Sequence, residues 1–247
     1  MWTNSELKQR AKSVLNNFGY WIPFLATILT GLLSTNASNI TSVITNNPEY
    51  ESVLQNEEYA PVLISAVLLI MAFSFIWNTF IGYPVMVGMN RFFMENRLSG
   101  SKIDRLFYVF KSGNYLNVVK TMFLMNLKIF LWSLLFIIPG IIKTYEYYMV
   151  PYILSENPGI SSKRAFEISK EMTAGEKFDI FWLGLSFFGW ILLGTLACGI
   201  GILFVEPYIQ TTFAELYQVM REKAFGTSHE FRFAETSELP GFFPEQN

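Results

Sequence analysis

The chain has 247 residues, of which 51% are hydrophobic, 17% are aromatic and only 15% are charged, and this balance excludes an ordinary soluble domain. The formal net charge of -2 excludes a global basic field for binding nucleic acid. The single cysteine, Cys198, excludes a disulfide framework or a thiolate metal site, so the composition indicates a membrane protein without cofactors.

The first predicted element is an amphipathic helix at residues 4–17. Leu7, Ala11 and Leu15 share one of its faces, and Lys8 and Arg10 lie on the other. No signal-peptide cleavage site follows, so we expect this segment to be retained. The basic stretches near residues 103–110 and 165–172 repeat the pattern. Such helices lie in the membrane interface with their cations toward anionic headgroups, although the solvated face of a cytoplasmic loop is an alternative.

Six apolar runs follow in chain order, and they predict an all-α polytopic membrane protein. The runs span residues 18–34, 61–87, 118–138, 141–154, 178–197 and 202–219. Several are shorter than the roughly 20 residues of a perpendicular span, and the fourth is the weakest of the six. We expect a single membrane domain over residues 1–225, followed by a polar tail at residues 226–247.

The distribution of basic residues predicts the topology. Lys and Arg fall in four clusters, and residues 35–60 contain none. The positive-inside rule therefore places the clusters and both termini in the cytoplasm and residues 35–60 outside. An even number of crossings must separate neighbouring clusters. Pro139-Gly140 and the segment at 199–201 are accordingly predicted as tight outer turns, which gives three hairpin-like units.

The three units also resemble one another in sequence. Each runs a basic amphipathic stretch into a glycine and then into an apolar span, and each returning span carries a proline, in Gly-Tyr-Pro-Val, Val-Pro-Tyr-Ile or Glu-Pro-Tyr-Ile. We interpret this as a threefold repeat in which prolines such as Pro151 and Pro207 kink the returning helices. Chance similarity between apolar segments is the alternative.

The segment LWSLLFIIPGIIKTYEYYMVPYILSENPGISSKRAFEISKEMTAGEKFDIFWLGLSFFGW, with GIGILFVEPYIQTTFAELY after it, resembles a bacterial integral membrane family catalogued as domain of unknown function 975. It is also distantly similar to the membrane domains attached to some bacterial glycerophosphodiester phosphodiesterases. The resemblance extends from about Glu6 to Glu222 and implies a fold and a membrane location. It implies no activity and no catalytic residues.

The residues also argue against catalysis. The only histidine, His229, lies in the polar tail, so a nucleophile paired with a histidine base is excluded from the spans, and no metal site is expected. Small residues have a simpler role, because they let helices approach closely within a membrane. The predicted packing glycines are Gly184, Gly189, Gly194 and Gly201.

Five ionisable residues at membrane depth form the candidate polar site: Lys128, Lys143, Glu146, Glu206 and Glu215. Lys143 and Glu146 are neighbours on one helical face. They are predicted either to snorkel outward as a pair or to form a site with Glu206. Lys128 lies about 16 Å from the Pro139 turn at 1.5 Å per residue, near mid-bilayer, and Glu215 is its predicted partner.

These features predict a nonenzymatic protein of the cell membrane that binds or transports a lipid headgroup or small amphiphile. The predicted partners are the bilayer, particularly anionic lipids, and not nucleic acid. The alternative is a membrane interaction protein, such as an immunity factor or an accessory subunit, that docks another membrane protein.

Overall fold

The computed structural model describes residues 2–34, 59–196 and 200–225, and these residues form helices, turns and loops without a strand. The all-α class predicted from the sequence is confirmed. The predicted outer loop lies almost wholly outside the described residues, as do Cys198 and the polar tail with His229.

The α-helices are α1 (Asn4–Phe18), α2 (Trp21–Leu33), α3 (Ala60–Trp77), α4 (Tyr83–Ser99), α5 (Tyr108–Lys111), α6 (Tyr115–Leu135), α7 (Ile137–Glu146), α8 (Val150–Glu156), α9 (Ser162–Met172), α10 (Lys177–Leu185), α11 (Phe188–Leu196) and α12 (Ile200–Phe225).

Among the described residues, three helical stretches are long and apolar enough to cross a membrane: Ala60–Leu98, Tyr115–Leu135 and Lys177–Leu196. The first includes α3, a π-helix at Asn78–Gly82 and most of α4. Only 6% of its most apolar window is buried inside the protein, and side chains of α3 such as Leu68, Leu69, Phe73 and Phe75 are exposed. Trp21–Leu33 is a shorter apolar helix. This extent of exposed apolar surface is typical of a membrane protein.

The core lies elsewhere, where α1, α4, α8, α9 and the C-terminal half of α12 pack together. Phe92 and Phe93 of α4, Leu154 of α8 and Tyr217 of α12 are among its fully buried side chains. The apolar face of α1, including Leu7, is covered by α12. The apolar face of α9 is buried in the same way. This corrects the prediction that α1 and α9 rest on lipid, because amphipathicity does not specify whether lipid or protein covers the apolar face. In the stretch at 103–110, Phe107 and Phe110 remain exposed.

Buried ion pairs connect the helices of this core. Arg97 of α4 binds Glu215 of α12 at 2.6 Å, and Arg221 of α12 lies 3.3 Å from Glu156 at the end of α8. The Tyr217 hydroxyl also donates to Glu156. Burial raises the pKa of Glu156, and the neighbouring Arg221 partly opposes this increase. The three helices are therefore held together by charges as well as by apolar contacts.

Glycines with positive φ mark the start of α2, α6 and α10. Gly19, Gly113 and Gly175 have φ angles of 87°, 70° and 78°, and each lies two residues before its helix begins. A side chain with a Cβ rarely adopts this backbone conformation. These are the glycines that the three sequence units share, so the repeat is accompanied by a recurring local geometry.

The three repeated prolines have three different structural outcomes. Pro84 follows the π-helix. Because proline has no N–H to donate to the Phe80 carbonyl, that carbonyl accepts a hydrogen bond from the Tyr115 hydroxyl at 2.5 Å. Pro151 is the second residue of α8, after a break in the helix at residues 147–149. Pro207 lies inside α12 without interrupting it. The segment with Pro84 therefore contains a π-helical bulge, the segment with Pro151 is broken, and the segment with Pro207 is a continuous helix.

The turn predicted at Pro139-Gly140 is displaced toward the N-terminus. Phe136 is extended, with φ -154° and ψ 142°, and it separates α6 from α7. Pro139 and Gly140 lie in the first turn of α7, where a missing N–H costs little. A Cβ on Gly140 would lie 2.7 Å from the Ser133 Cα, so the glycine is required for the close approach of the two helices.

The predicted packing glycines fall into two groups. A Cβ on Gly194 would lie 2.7 Å from the Ile202 nitrogen, and a Cβ on Gly201 would lie 2.7 Å from the Gly194 Cα, so α11 and α12 touch there. Gly184 and Gly189 have no such neighbour within 4 Å among the described residues. The predicted turn at 199–201 begins outside the described part of the chain.

Candidate functional site

A cavity of about 630 Å³ lies between α6, α7 and α9. Its volume falls within the range of about 300–1,000 Å³ that is common for small-molecule sites. The lining residues recur every three or four positions on each helix, which places them on one face. They are Asn117, Lys120, Leu124 and Lys128 of α6; Lys143, Glu146 and the adjacent Tyr147; and Ser161, Ser162, Lys163, Phe166, Glu167 and Lys170 on or next to α9.

Polar side chains of α6 fix the start of α9. The Asn117 Nδ2 atom donates to the carbonyls of Pro158 and Ile160, both at 2.7 Å. The hydroxyls of Thr121 and Ser162 are also 2.7 Å apart. Ser161 caps α9 by accepting the Arg164 backbone N–H. The two helices that carry most of the cavity lysines are therefore held in register.

The part of the cavity lined by Glu146 and Tyr147 lies beside the break between α7 and α8. The Ser169 hydroxyl donates to the Glu146 carbonyl at 2.8 Å and accepts the Met149 N–H at 3.3 Å. The Thr173 hydroxyl donates to the Ser169 carbonyl at 2.9 Å. The break between α7 and α8 frees backbone groups, and the Ser169 hydroxyl satisfies one carbonyl and one N–H among them.

Lys143 and Glu146, which the sequence predicts as neighbours, form an ion pair with a distance of 2.7 Å between Nζ and Oε1. Lys177, at the start of α10, approaches the other carboxylate oxygen at 3.4 Å. Glu146 is buried and has both cations as partners. Glu206 is not part of this group, because its carboxylate accepts a hydrogen bond from Gln210 one turn further along α12.

Lys128 has aromatic neighbours instead of a carboxylate. Its Nζ atom lies 3.9 Å from the centroid of the Phe166 ring and 5.8 Å from that of Tyr147. A cation over a ring face is attracted by the quadrupole of the ring. Glu215, its predicted partner, binds Arg97 instead. The prediction failed because similar depth in a membrane does not specify which helix a side chain faces.

The charges of the cavity do not balance. Glu146 is matched by Lys143 and Lys177, and Glu167 is matched by Arg164 at 3.5 Å. The remaining cavity lysines have no carboxylate within 4 Å among the described residues: Lys120, Lys128, Lys163 and Lys170. Such an excess of ammonium groups favours an anionic ligand.

Three of these lysines were not singled out from the sequence. Lys120, Lys163 and Lys170 appear there only as members of cytoplasmic basic clusters. The spacing of these lysines could have identified them, because residues three or four apart share a helical face. Lys120, Leu124 and Lys128 have this spacing on one helix, and Lys163, Phe166 and Lys170 have it on another. In the described ranges, no group of three or more His, Cys, Asp or Glu side chains could hold a metal ion.

No curated protein and no solved structure gives a significant match to the chain. None of the comparisons shows a similarity to the membrane domains of glycerophosphodiester phosphodiesterases. One family model matches, and it covers residues 134–224, from the end of α6 to the end of α12. The matched region includes the α7 and α9 walls of the cavity. The match supports the resemblance noted in the sequence, to the family described as a protein of unknown function, DUF975.

Proposed function

We propose that this protein binds the anionic headgroup of a lipid or small amphiphile in the basic cavity, without catalysing a reaction. The observation that carries the proposal is the cavity itself, in which four lysines face about 630 Å³ of space without a carboxylate partner among the described residues. Lysine is a compact point charge and a common phosphate ligand in proteins.

An amphiphile fits this position better than a soluble anion does. The same helices expose large apolar side chains next to the cavity, including Phe130 and Leu131 on α6 and Ile141 and Ile142 on α7. A headgroup held by the lysines would leave its acyl chains against this apolar surface. Burying each CH₂ group of such a chain contributes about 0.8 kcal/mol.

The orientation we propose has six crossings in three hairpin-like units, with both termini and the basic cavity on the cytoplasmic side. Three long apolar helices among the described residues support the membrane location, and the orientation is supported by the four clusters that hold every Lys and Arg except Lys128 and Lys143. The inner leaflet carries most of the anionic surface charge, which suits a basic cavity on that side.

Cysteine labelling tests this orientation in a Cys198→Ser background. Tyr59 is 55% exposed at the start of the first long apolar stretch, and Lys102 is exposed in a basic cluster. We expect a membrane-impermeant maleimide to modify Tyr59→Cys in intact cells and Lys102→Cys only after permeabilisation. The opposite pattern would invert the proposed orientation.

Lipid retention tests the binding function. Native mass spectrometry of the purified protein, with equimolar phosphatidylglycerol and phosphatidylcholine of matched chains, should show preferential retention of phosphatidylglycerol. Lys128→Met combined with Lys163→Met removes one ammonium from each facing helix. We expect this double variant to lose about tenfold in phosphatidylglycerol binding, since each basic residue near an anionic surface contributes about 1 kcal/mol at most.

Lys102→Met is the matched control, because it removes an exposed lysine that does not line the cavity. Its retention of phosphatidylglycerol should equal that of the wild type, and circular dichroism should show equal helix content in all three proteins. Equal retention of both lipids by the wild type, or an unaffected double variant, would refute the proposed function.

A further inference from the structure

We propose that the cavity selects a phosphate group that carries two negative charges, as in a phosphomonoester lipid, over the singly charged phosphodiester of most phospholipids. This inference rests on the proposed function and specifies the ligand of the same site. It follows from the number of uncompensated ammonium groups, from their placement on two facing walls and from the space between them.

The first step is the number of charges that a ligand must balance. Both carboxylates of the cavity already have basic partners, Glu146 in Lys143 and Lys177, and Glu167 in Arg164. Arg164 also lies 3.7 Å from Glu171, but the residues that line the cavity, with five lysines and two glutamates, still carry an excess of positive charge. Lys120, Lys163 and Lys170 are exposed and Lys128 is half-buried, so water screens part of the repulsion between their ammonium groups. A dianion offsets more of the remaining repulsion than a monoanion does.

The second step is the placement of the lysines. Lys120 and Lys128 line the cavity from α6, and Lys163 and Lys170 line it from α9. A phosphomonoester has three unesterified oxygens that can accept hydrogen bonds from both walls. A phosphodiester has only two, and its second substituent must also be accommodated between the walls.

The third step is the environment of Lys128 and Ser161. Lys128 is half-buried, and its ammonium lies 3.9 Å from the centroid of the Phe166 ring, a contact that favours this position of the side chain. The Ser161 oxygen accepts the Arg164 N–H, and its hydroxyl proton has no acceptor among the described residues. That proton is available to a phosphate oxygen. These groups add to the anion-binding capacity that the lysines provide.

Phosphatidate and phosphatidylmethanol with identical acyl chains provide the test. They differ by one methyl group, which removes one negative charge and one free oxygen while changing the size of the headgroup little. Native mass spectrometry of the full chain with equimolar amounts of the two lipids at pH 8 should show a preference for phosphatidate of about tenfold. This is the effect of one further charge-assisted hydrogen bond of about 1.5 kcal/mol.

Two variants sharpen the result. Lys120→Met combined with Lys163→Met and Lys170→Met leaves Lys128 as the one remaining ammonium of the four, and it should bring the preference close to one because a single remaining charge suits a monoanion. Lys102→Met should keep the full preference. Equal binding of the two lipids by the wild type, with both retained above phosphatidylcholine, would overturn this inference and leave the proposed function standing. Retention of neither lipid above phosphatidylcholine would overturn the proposed function itself.

A final arm distinguishes a lipid from a soluble phosphate ester. Glycerol 3-phosphate carries the same phosphomonoester without acyl chains. We expect it to displace phosphatidate only at a concentration at least about a hundredfold higher, because it buries no acyl chain. Displacement at an equal concentration would support the dianionic selectivity and would contradict a lipid ligand.

Discussion

Replacing Gly88 by alanine should destabilise the protein by about 3 kcal/mol or more, although it adds a single methyl group. Gly88 lies in α4 where that helix crosses the 3-10 helix at Ile103–Phe107. A Cβ at this position would lie 2.0 Å from the Leu106 carbonyl oxygen and 2.6 Å from its carbon. Backbone atoms cannot rotate away as a side chain could, so the two helices must separate.

The measurement is thermal unfolding in detergent, followed by the fluorescence of the six tryptophans. A loss of about 3 kcal/mol corresponds to a decrease in Tm of roughly 6 to 12 °C for a chain of this size. Gly31→Ala in α2 is the matched control, because nothing lies within 4 Å of its added Cβ among the described residues. That variant should melt at or slightly above the wild-type temperature, since alanine favours a helix. Equal Tm values for the two variants would show that α4 and the 3-10 helix do not pack this closely.

The helical class and the local pairing were predictable from the sequence because both depend on short-range periodicity. The apolar runs indicate helices, and the i, i+3 spacing of Lys143 and Glu146 indicates their ion pair, which forms at 2.7 Å. The glycines before three of the apolar helices were also recognisable, because the sequence units repeat. None of these features requires knowledge of which helices are neighbours.

Features that depend on neighbouring helices were not predictable in this way. The position of Glu215 along its helix suggested the same depth as Lys128, but its side chain faces Arg97 of α4. Likewise, the amphipathic pattern of α9 does not reveal that its apolar face is buried by protein while its lysines face a cavity. Rotation about the helix axis and the identity of the neighbour are set by tertiary packing.

Local chemistry also explains why one turn was misplaced. Pro-Gly is a common turn signal, and the sequence therefore placed the reversal at Pro139-Gly140. Proline is equally compatible with the first turn of a helix, where its missing N–H has no intrahelical role. The structure uses the second possibility, with Phe136 as the connecting residue. The glycine is still needed, because Ser133 lies against it.

The ion pair between Arg97 and Glu215 should couple α4 to α12 strongly. The side chains are only 16% and 5% exposed, and their atoms are 2.6 Å apart. Glu215→Gln leaves the Arg97 guanidinium without this counter-charge, and breaking a buried pair in this way costs about 3 kcal/mol or more. Arg97→Met removes the stranded charge while keeping most of the aliphatic stem. The double variant should therefore be more stable than Glu215→Gln alone.

A pair of double-mutant cycles measures this coupling. The first cycle combines Arg97→Met with Glu215→Gln, and the second combines Lys128→Met with Glu215→Gln. Free energies of unfolding from denaturant titration in detergent should give a coupling of about 1 to 3 kcal/mol in the first cycle and additivity within about 0.5 kcal/mol in the second. The second cycle serves as the control, because Lys128 contacts Phe166 and Tyr147 and not Glu215. Coupling in the second cycle and additivity in the first would show that Glu215 pairs with Lys128 and not with Arg97. The cavity would then have one fewer unpaired cation.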